Sequence, residues 1–240
     1  MNPHGLLGNI SLIFIAAGLV LVGIAKLRRP MALNARKEPI PAPIHDIVAP
    51  ESGWEANELH TAVFAGGCFW GSQSVFQRVK GVVKTTVGYA GGHSATAIYR
   101  AVTSMDTGHA EAIEIVYNPE LVSFGTLLRI FFSVMHDPTQ LNRQGADVGT
   151  QYRSAIFFIG DAQRETAQAY IDQLDAAHIY PAKIVTELTP LIEFFPGEDY
   201  HQDYALKNPH NPYIQVCDIP KIASLKQQFP NLFQDYTLPS

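Results

Sequence analysis

The hexapeptide Gly66-Gly67-Cys68-Phe69-Trp70-Gly71 sets a nucleophilic side chain where a chain commonly builds a reactive site. The apolar stretch Thr61–Ala65 runs into it and reads as a buried strand, while Val75, Phe76 and Val79 behind it fall at helical spacing. Cys68 is thus expected at a strand-to-helix junction. Unpaired N–H groups and the helix dipole there favour an anion, and a thiol so placed is expected to ionise below its ordinary range. Paired glycines permit unusual dihedrals and close backbone approach. Phe69 and Trp70 can wall an apolar pocket around the sulfur. The competing reading of a lone cysteine is a small buried core residue.

A second candidate is Glu111, in Asp106-Thr107-Gly108-His109-Ala110-Glu111-Ala112-Ile113-Glu114-Ile115-Val116-Tyr117. In a strand, alternate residues share a face. Glu111 then leads a row with Ile113, Ile115 and Tyr117, and that row has no cation. Poor solvation raises a carboxyl group's pKa, and an acid still protonated near neutral pH can donate a proton. Pairing with a distant cation is the plainer alternative. A third segment, Gln144 to Ser154, brings Asp147 and Tyr152 onto one polar loop, where both can hydrogen bond to a polar substrate atom; a turn role suits Asp147 equally. In Gly197–Tyr204, His201 and Asp203 do not make a metal site, because His109, His136 and His201 lie far apart without ligand spacing. No metal is expected.

These groups need a scaffold, and the remaining pattern supplies one. Strands are expected at 61–65, 82–89, 110–117, 154–159 and 184–188, with helices at 68–79, 96–103, 123–135, 161–177 and 221–228. Ser123 and Asp161 stand as helix caps, and a long polar loop spans 136–150. Alternating strands and helices imply a two-layer α/β sandwich, with a loop-rich C-terminal segment. The order of strands does not follow from this pattern.

The chain has 240 residues, 47% of them apolar, and a formal net charge of -5. No basic block or basic-aromatic array points to nucleic acid. Two cysteines, Cys68 and Cys217, make no disulfide framework, but a nucleophile and a resolving thiol would need only two. Residues 6–25 are apolar and uncharged, long enough as a helix to cross about 30 Å of hydrocarbon. Lys26, Arg28 and Arg29 follow, and no Lys or Arg precedes the run. An uncleaved single-pass anchor (residues 1–29) is therefore expected, rather than a signal peptide. The positive-inside rule puts the domain behind it on the cytoplasmic side. Pro30, Pro39, Pro41, Pro43 and Pro50 mark residues 30–59 as a tether, leaving 60–240 as the globular domain.

The motifs at 66–71, Gly88-Tyr89-Ala90-Gly91-Gly92, Thr107–Glu111, His136-Asp137-Pro138, Asp147–Ser154 and Tyr200-His201-Gln202-Asp203-Tyr204 together resemble the A-type peptide methionine sulfoxide reductases, in family order. That resemblance implies an α+β fold, a two-layer sandwich around a ferredoxin-like plait with a mixed sheet. It implies thiol-dependent reduction of methionine-(S)-sulfoxide, free or in proteins, with Cys68 attacking the sulfur and becoming a sulfenic acid. Glu111 would protonate the oxygen, Phe69 and Trp70 would hold the methyl group, Tyr99 and Tyr152 would bind the oxygen, and Asp147 would support that network. No cofactor is implied beyond thioredoxin or another dithiol as reductant. The implied partners are oxidised proteins or peptides and thioredoxin, and a monomer is expected. Where many members carry a resolving cysteine, this chain has Ile214, with Cys217 three residues on. Cys217 either resolves the sulfenic acid or is a small packed residue, an external thiol then acting directly. Three rivals do not explain the joint motifs: a thiol peroxidase, which would want an arginine beside the thiolate, a hydrolase using His109 or His201 as base, and a tethered binding module.

Overall fold

A computed structural model describes residues 38–104 and 106–238. The chain runs through strand β1 (His60–Gly66), helix α1 (Phe69–Phe76), β2 (Val82–Ala90), α2 (Tyr99–Ser104), β3 (Ala110–Tyr117), α3 (Phe124–Ile130) and a π turn at Phe131–Met135. A two-residue hairpin, β4 (Arg143–Gln144) and β5 (Asp147–Val148), leads to β6 (Ser154–Phe158) and α4 (Gly160–Ala176). β7 (Glu187–Pro190), β8 (Phe194–Pro196), α5 (Tyr204–Lys207), a π turn at Ile214–Asp218 and α6 (Ile219–Gln228) follow.

The main sheet has the order β7-β6-β1-β3-β2-β8. Every pairing is antiparallel except β6–β7. Its four central strands, β6-β1-β3-β2, with α1 between β1 and β2 and α3 between β3 and β6, form the βαββαβ plait. The expected mixed sheet is therefore present, and strand order is the part that tertiary pairing adds.

Alternation along the strands sorts the two faces. Phe64, Ile113, Ile115, Tyr117 and Ile156 pack under Phe76, Leu127, Leu128, Tyr170 and Leu225, so the helices cover one face. Val63, Ala65, Ala90, Ala112 and Phe157 form a thinner cluster on the other, under Leu191 and Phe194. Glu111 belongs to the helix-covered row by alternation, which is why its carboxyl is dry.

Local details differ from the sequence expectation in instructive ways. Ser123 caps α3, its side chain accepting from the Thr126 N–H at 3.1 Å. Asp161 does not cap α4: Ile159 holds the cap position, and Asp161 lies in the first turn, 3.2 Å from Arg164. The loop at 136–150 contains the β4–β5 hairpin, and the seventh strand begins at Glu187 because Ile184 turns into the core.

The proline-rich stretch is not a free spacer where it is described. Ile40 lies in the main core, with its carbonyl accepting from Arg129 Nε at 2.6 Å. The Pro41 carbonyl accepts from the Tyr170 hydroxyl at 2.6 Å, and Asp46 accepts from the Gly125 N–H at 2.7 Å, at the start of α3. Prolines keep this strap extended without stopping one isoleucine from burying, an outcome that a search for periodic elements does not register. Among the described residues no helix is long and apolar enough to cross a membrane. The expected span at 6–25 lies outside the described residues.

Candidate active site

Cys68 occupies the N-cap position of α1, at the C-terminal end of β1, and is 8% exposed. The turn that delivers it needs glycine at 67: φ is +91°, and a Cβ there would come within 2.7 Å of Gln144 Cγ. Gln144 is itself held by the next loop, its side chain accepting from the Asp137 N–H at 3.3 Å and donating to the Asp137 carbonyl at 3.1 Å.

Glu111 crosses from β3 to the same helix start. Its Oε2 accepts from the Phe69 N–H, the residue after Cys68, at 3.1 Å. The carboxyl is 2% exposed, and burial pushes its pKa up to about 8, with the Phe69 hydrogen bond opposing and Asp147 adding to the rise. The same burial acts on Cys68. Desolvation, then the charges of Glu111 and Asp218, hold the thiol well above its ordinary range, while the Trp70 amide and Lys221 pull the other way. The expectation of a lowered thiol pKa is thus corrected. A helix start favours the anion, but a dry site with two carboxyl groups disfavours it more.

Around this pair stands an aromatic wall. Phe69 and Tyr89 are fully buried, and Trp70 stacks on Tyr204 with ring centroids 3.9 Å apart. The Trp70 indole N–H donates to His201 Nδ1 at 3.1 Å. His201 in turn lies 4.4 Å from the Tyr99 ring and 5.0 Å from that of Phe69. The Tyr99 phenol feels the charges of Glu111 and Cys68, and burial pushes it up to about 12. Tyr152 feels the same two groups and Asp147, and burial raises it too. The Tyr213 hydroxyl donates to Asp147 Oδ2 at 2.6 Å, and Tyr213 meets Trp70 edge-on.

The structure therefore gathers Cys68, Phe69, Trp70, Tyr99, Glu111, Asp147 and Tyr152 from four separate stretches of chain. Neither histidine offers a base to the thiol. His109 accepts from the Gly92 N–H at 3.2 Å and donates to the His93 carbonyl at 3.0 Å, so both ring nitrogens are committed. Burial holds His201 below its ordinary pKa, and its Nδ1 is taken by Trp70.

The family model for peptide methionine sulfoxide reductase matches residues 60–232. The chain belongs to that family. The reductase is 56% identical over 175 residues to a protein of Mesorhizobium japonicum named peptide methionine sulfoxide reductase MsrA 2, covering 73% of this chain and 90% of that one. It is 51% identical over 190 residues to a Synechocystis protein of the same name, covering 79% and 88%. Among solved structures it resembles methionine sulfoxide reductase A of Corynebacterium diphtheriae, with TM-score 0.56 and 35% identity over 75% of this chain and 92% of that one. Reduced Mxr1 from Saccharomyces cerevisiae gives TM-score 0.58 and 34% identity, covering 66% and 90%. The reductase accordingly reduces methionine sulfoxide.

Several neighbours of the reductase's site escaped sequence reasoning. His201 and Tyr204 fell within a quoted motif but were not placed in the pocket. Nothing in the pattern singles out Tyr213. Glu198 anchors the far wall, accepting from the Tyr99 N–H at 2.9 Å and the Tyr89 hydroxyl at 2.8 Å. A motif rich in aromatic and acidic residues was the available signal; only packing assigns the contacts.

Gly71 is the last constraint on the site. A Cβ built there would come 2.3 Å from Asp218 Oδ1 and 2.6 Å from Lys221 Nζ. Gly71→Ala should destabilise the reductase by about 1–3 kcal/mol, as overpacking does, although alanine is the better helix former. A melting temperature equal to or above that of the parent would show the close approach to be slack.

Proposed function

We propose that Cys68 and Glu111 act as nucleophile and acid on a methionine-(S)-sulfoxide seated against Phe69 and Trp70. The observation that carries this reading is the 3.1 Å hydrogen bond from the Phe69 N–H to Glu111, which ties the buried acid to the residue beside the sulfur. The Cys68 sulfur attacks the sulfoxide sulfur. Glu111 gives its proton to the oxygen, the S–O bond of the substrate breaks, and the hydroxyl passes to the Cys68 sulfur as the new sulfur–sulfur bond breaks, leaving a Cys68 sulfenic acid. Methionine leaves as the reduced thioether. Glu111 recovers the proton that the thiol sheds, so thiol plus sulfoxide becomes sulfenic acid plus thioether with no net proton change. A carboxyl with a pKa near 8 suits this exchange, since it holds its proton at neutral pH and yields it to a developing oxyanion.

The phenols of Tyr99 and Tyr152 share the neighbourhood of Glu111 and can donate to the sulfoxide oxygen. Asp147 orients Tyr213. An apolar wall for the methyl and donors for the oxygen fix the hand of the sulfur, and a site built to hydrogen bond discriminates strongly against analogues lacking the oxygen. Conversion of a chirally resolved methionine sulfoxide peptide to its methionine form tests this: the S epimer should react and the R epimer should not.

Cys217 is the resolving thiol in this reading. It is half-buried on the turn Ile214–Asp218, and the groups acting on it, Asp218, Lys221, Asp147 and Tyr213, are those at the margin of the site. Its thiol displaces water from the Cys68 sulfenic acid, forming a disulfide that thioredoxin, a dithiol, reduces by exchange. Cys217→Ser is expected to lower thioredoxin-coupled turnover about tenfold or more while sparing the first, stoichiometric methionine; undiminished coupled turnover would remove Cys217 from the cycle. Residues 60–240 form the catalytic domain in this reading. The apolar, uncharged composition of residues 6–25 supports attachment to a membrane as a single pass, with the enzyme on the cytoplasmic side. An alkaline phosphatase fusion after Lys37 should be inactive, and strong periplasmic activity would reverse the orientation.

A further inference from the structure

Beneath the start of α1 lies a charge pair that the chemistry above does not use. Asp218 is 0% exposed, and neither of its carboxyl oxygens has a hydrogen-bond partner among the described residues. Lys221 is 4% exposed, and its Nζ is 3.6 Å from Asp218 Oδ1. A lysine so buried is rare, and desolvating both ions is costly, so the pair is a poor device for stability alone. An apolar pair of the same shape would serve packing as well or better.

Its position says more. Both charged atoms press on Gly71, which lies one helical turn after Cys68 and has no side chain to hold them off. The π turn at Ile214–Asp218 and α6 carry the pair against α1. We infer that Lys221, held by Asp218 against Gly71, is a positioning residue that supplies the positive charge facing the Cys68 sulfur. This rests on the reading of Cys68 as nucleophile.

The other ionisable groups facing Cys68 are Glu111 from β3, Asp218 from the π turn, and the phenols of Tyr99, Tyr152 and Tyr213. All are neutral or negative. None favours a thiolate by its charge, and among the described residues Lys221 is the cation acting on the sulfur. The same ammonium also favours the anion of Cys217. It therefore lies where it can assist both thiolates of the cycle, the attacking one and the resolving one. Asp218 opposes both anions. Its contribution is to hold the ammonium in place, 3.6 Å away, beside Gly71.

The test uses the full-length chain in a Cys217→Ser background, where Cys68 is the remaining thiol. The rate of iodoacetamide alkylation is followed against pH, a reading of thiolate that needs no sulfoxide. Lys221→Met and Lys221→Gln should each move the profile up by about one pH unit or more, equivalent to about tenfold slower alkylation at a fixed pH below the midpoint. Lys221→Arg, which keeps the charge, should restore the parental profile. The glutamine variant gives the same reading with a side chain that can donate to Asp218, so the comparison survives if the methionine variant misfolds. A glutamine profile within a few tenths of a unit of the parent, or an arginine profile displaced as far as the glutamine one, overturns the inference. Neither outcome bears on whether Cys68 attacks the sulfoxide, which the Cys68→Ser variant decides separately.

Discussion

Cys68→Ser is expected to end methionine sulfoxide reduction, with turnover lower by at least about 10⁴-fold, the scale on which enzymes lose rate when a nucleophile is removed. The serine hydroxyl is nearly isosteric but ionises far less readily, and it cannot carry the oxygen away as a sulfenic acid. The fold should be unaffected, because the hydrogen bond between Glu111 and the Phe69 N–H involves backbone rather than the sulfur. Loss of the sulfoxide oxygen from a methionine sulfoxide peptide, measured by mass spectrometry, reads the outcome. Appreciable residual turnover would refute the nucleophile, and with it every role assigned around it.

Glu111→Gln is the second large effect. The amide keeps the volume and can still accept from Phe69, but it gives up no proton, so the sulfoxide step should slow by about 10²- to 10⁴-fold with substrate affinity little changed. The pH dependence adds a signature. In the parent the acid form is populated below a pKa near 8, so single-turnover reduction should fall as pH rises through about 8 on account of this group, and the glutamine variant should lack that limb. The parent's stability should fall in the same direction. A carboxyl whose folded pKa is raised favours the folded state most below its unfolded pKa and loses that advantage as pH climbs to the folded value. The glutamine variant has no such loss, so its melting temperature relative to the parent should rise on the alkaline side. A variant with parental rates and no change in either pH profile would leave Glu111 a structural residue.

These two side chains also show where sequence reasoning reached and where it stopped. Cys68 was legible because the signals around it are local: an apolar strand, two glycines and a helical period in one short run of chain. Glu111 was legible as a dry carboxyl because strand alternation put it on the isoleucine row, and Ile113, Ile115 and Tyr117 are indeed in the main core. The motif match then joined segments far apart. The tertiary structure reversed the expected sign for the thiol, since desolvation depends on what covers the sulfur and neither Asp218 nor the depth of Cys68 can be read from neighbouring residues.

By itself, the amino-acid sequence determined the kinds of element and the face on which Glu111 lies, because each rests on residue type and on periods of two or 3.6, and its motifs marked the family. Only the tertiary structure decided the strand order β7-β6-β1-β3-β2-β8, the docking of Ile40 into the core, the Trp70–His201–Tyr204 wall and the burial of Lys221 beside Gly71. Those are contacts between segments separated by tens of residues or more. Pairing, burial and charge at such contacts are set by which surfaces meet, and no local propensity encodes that.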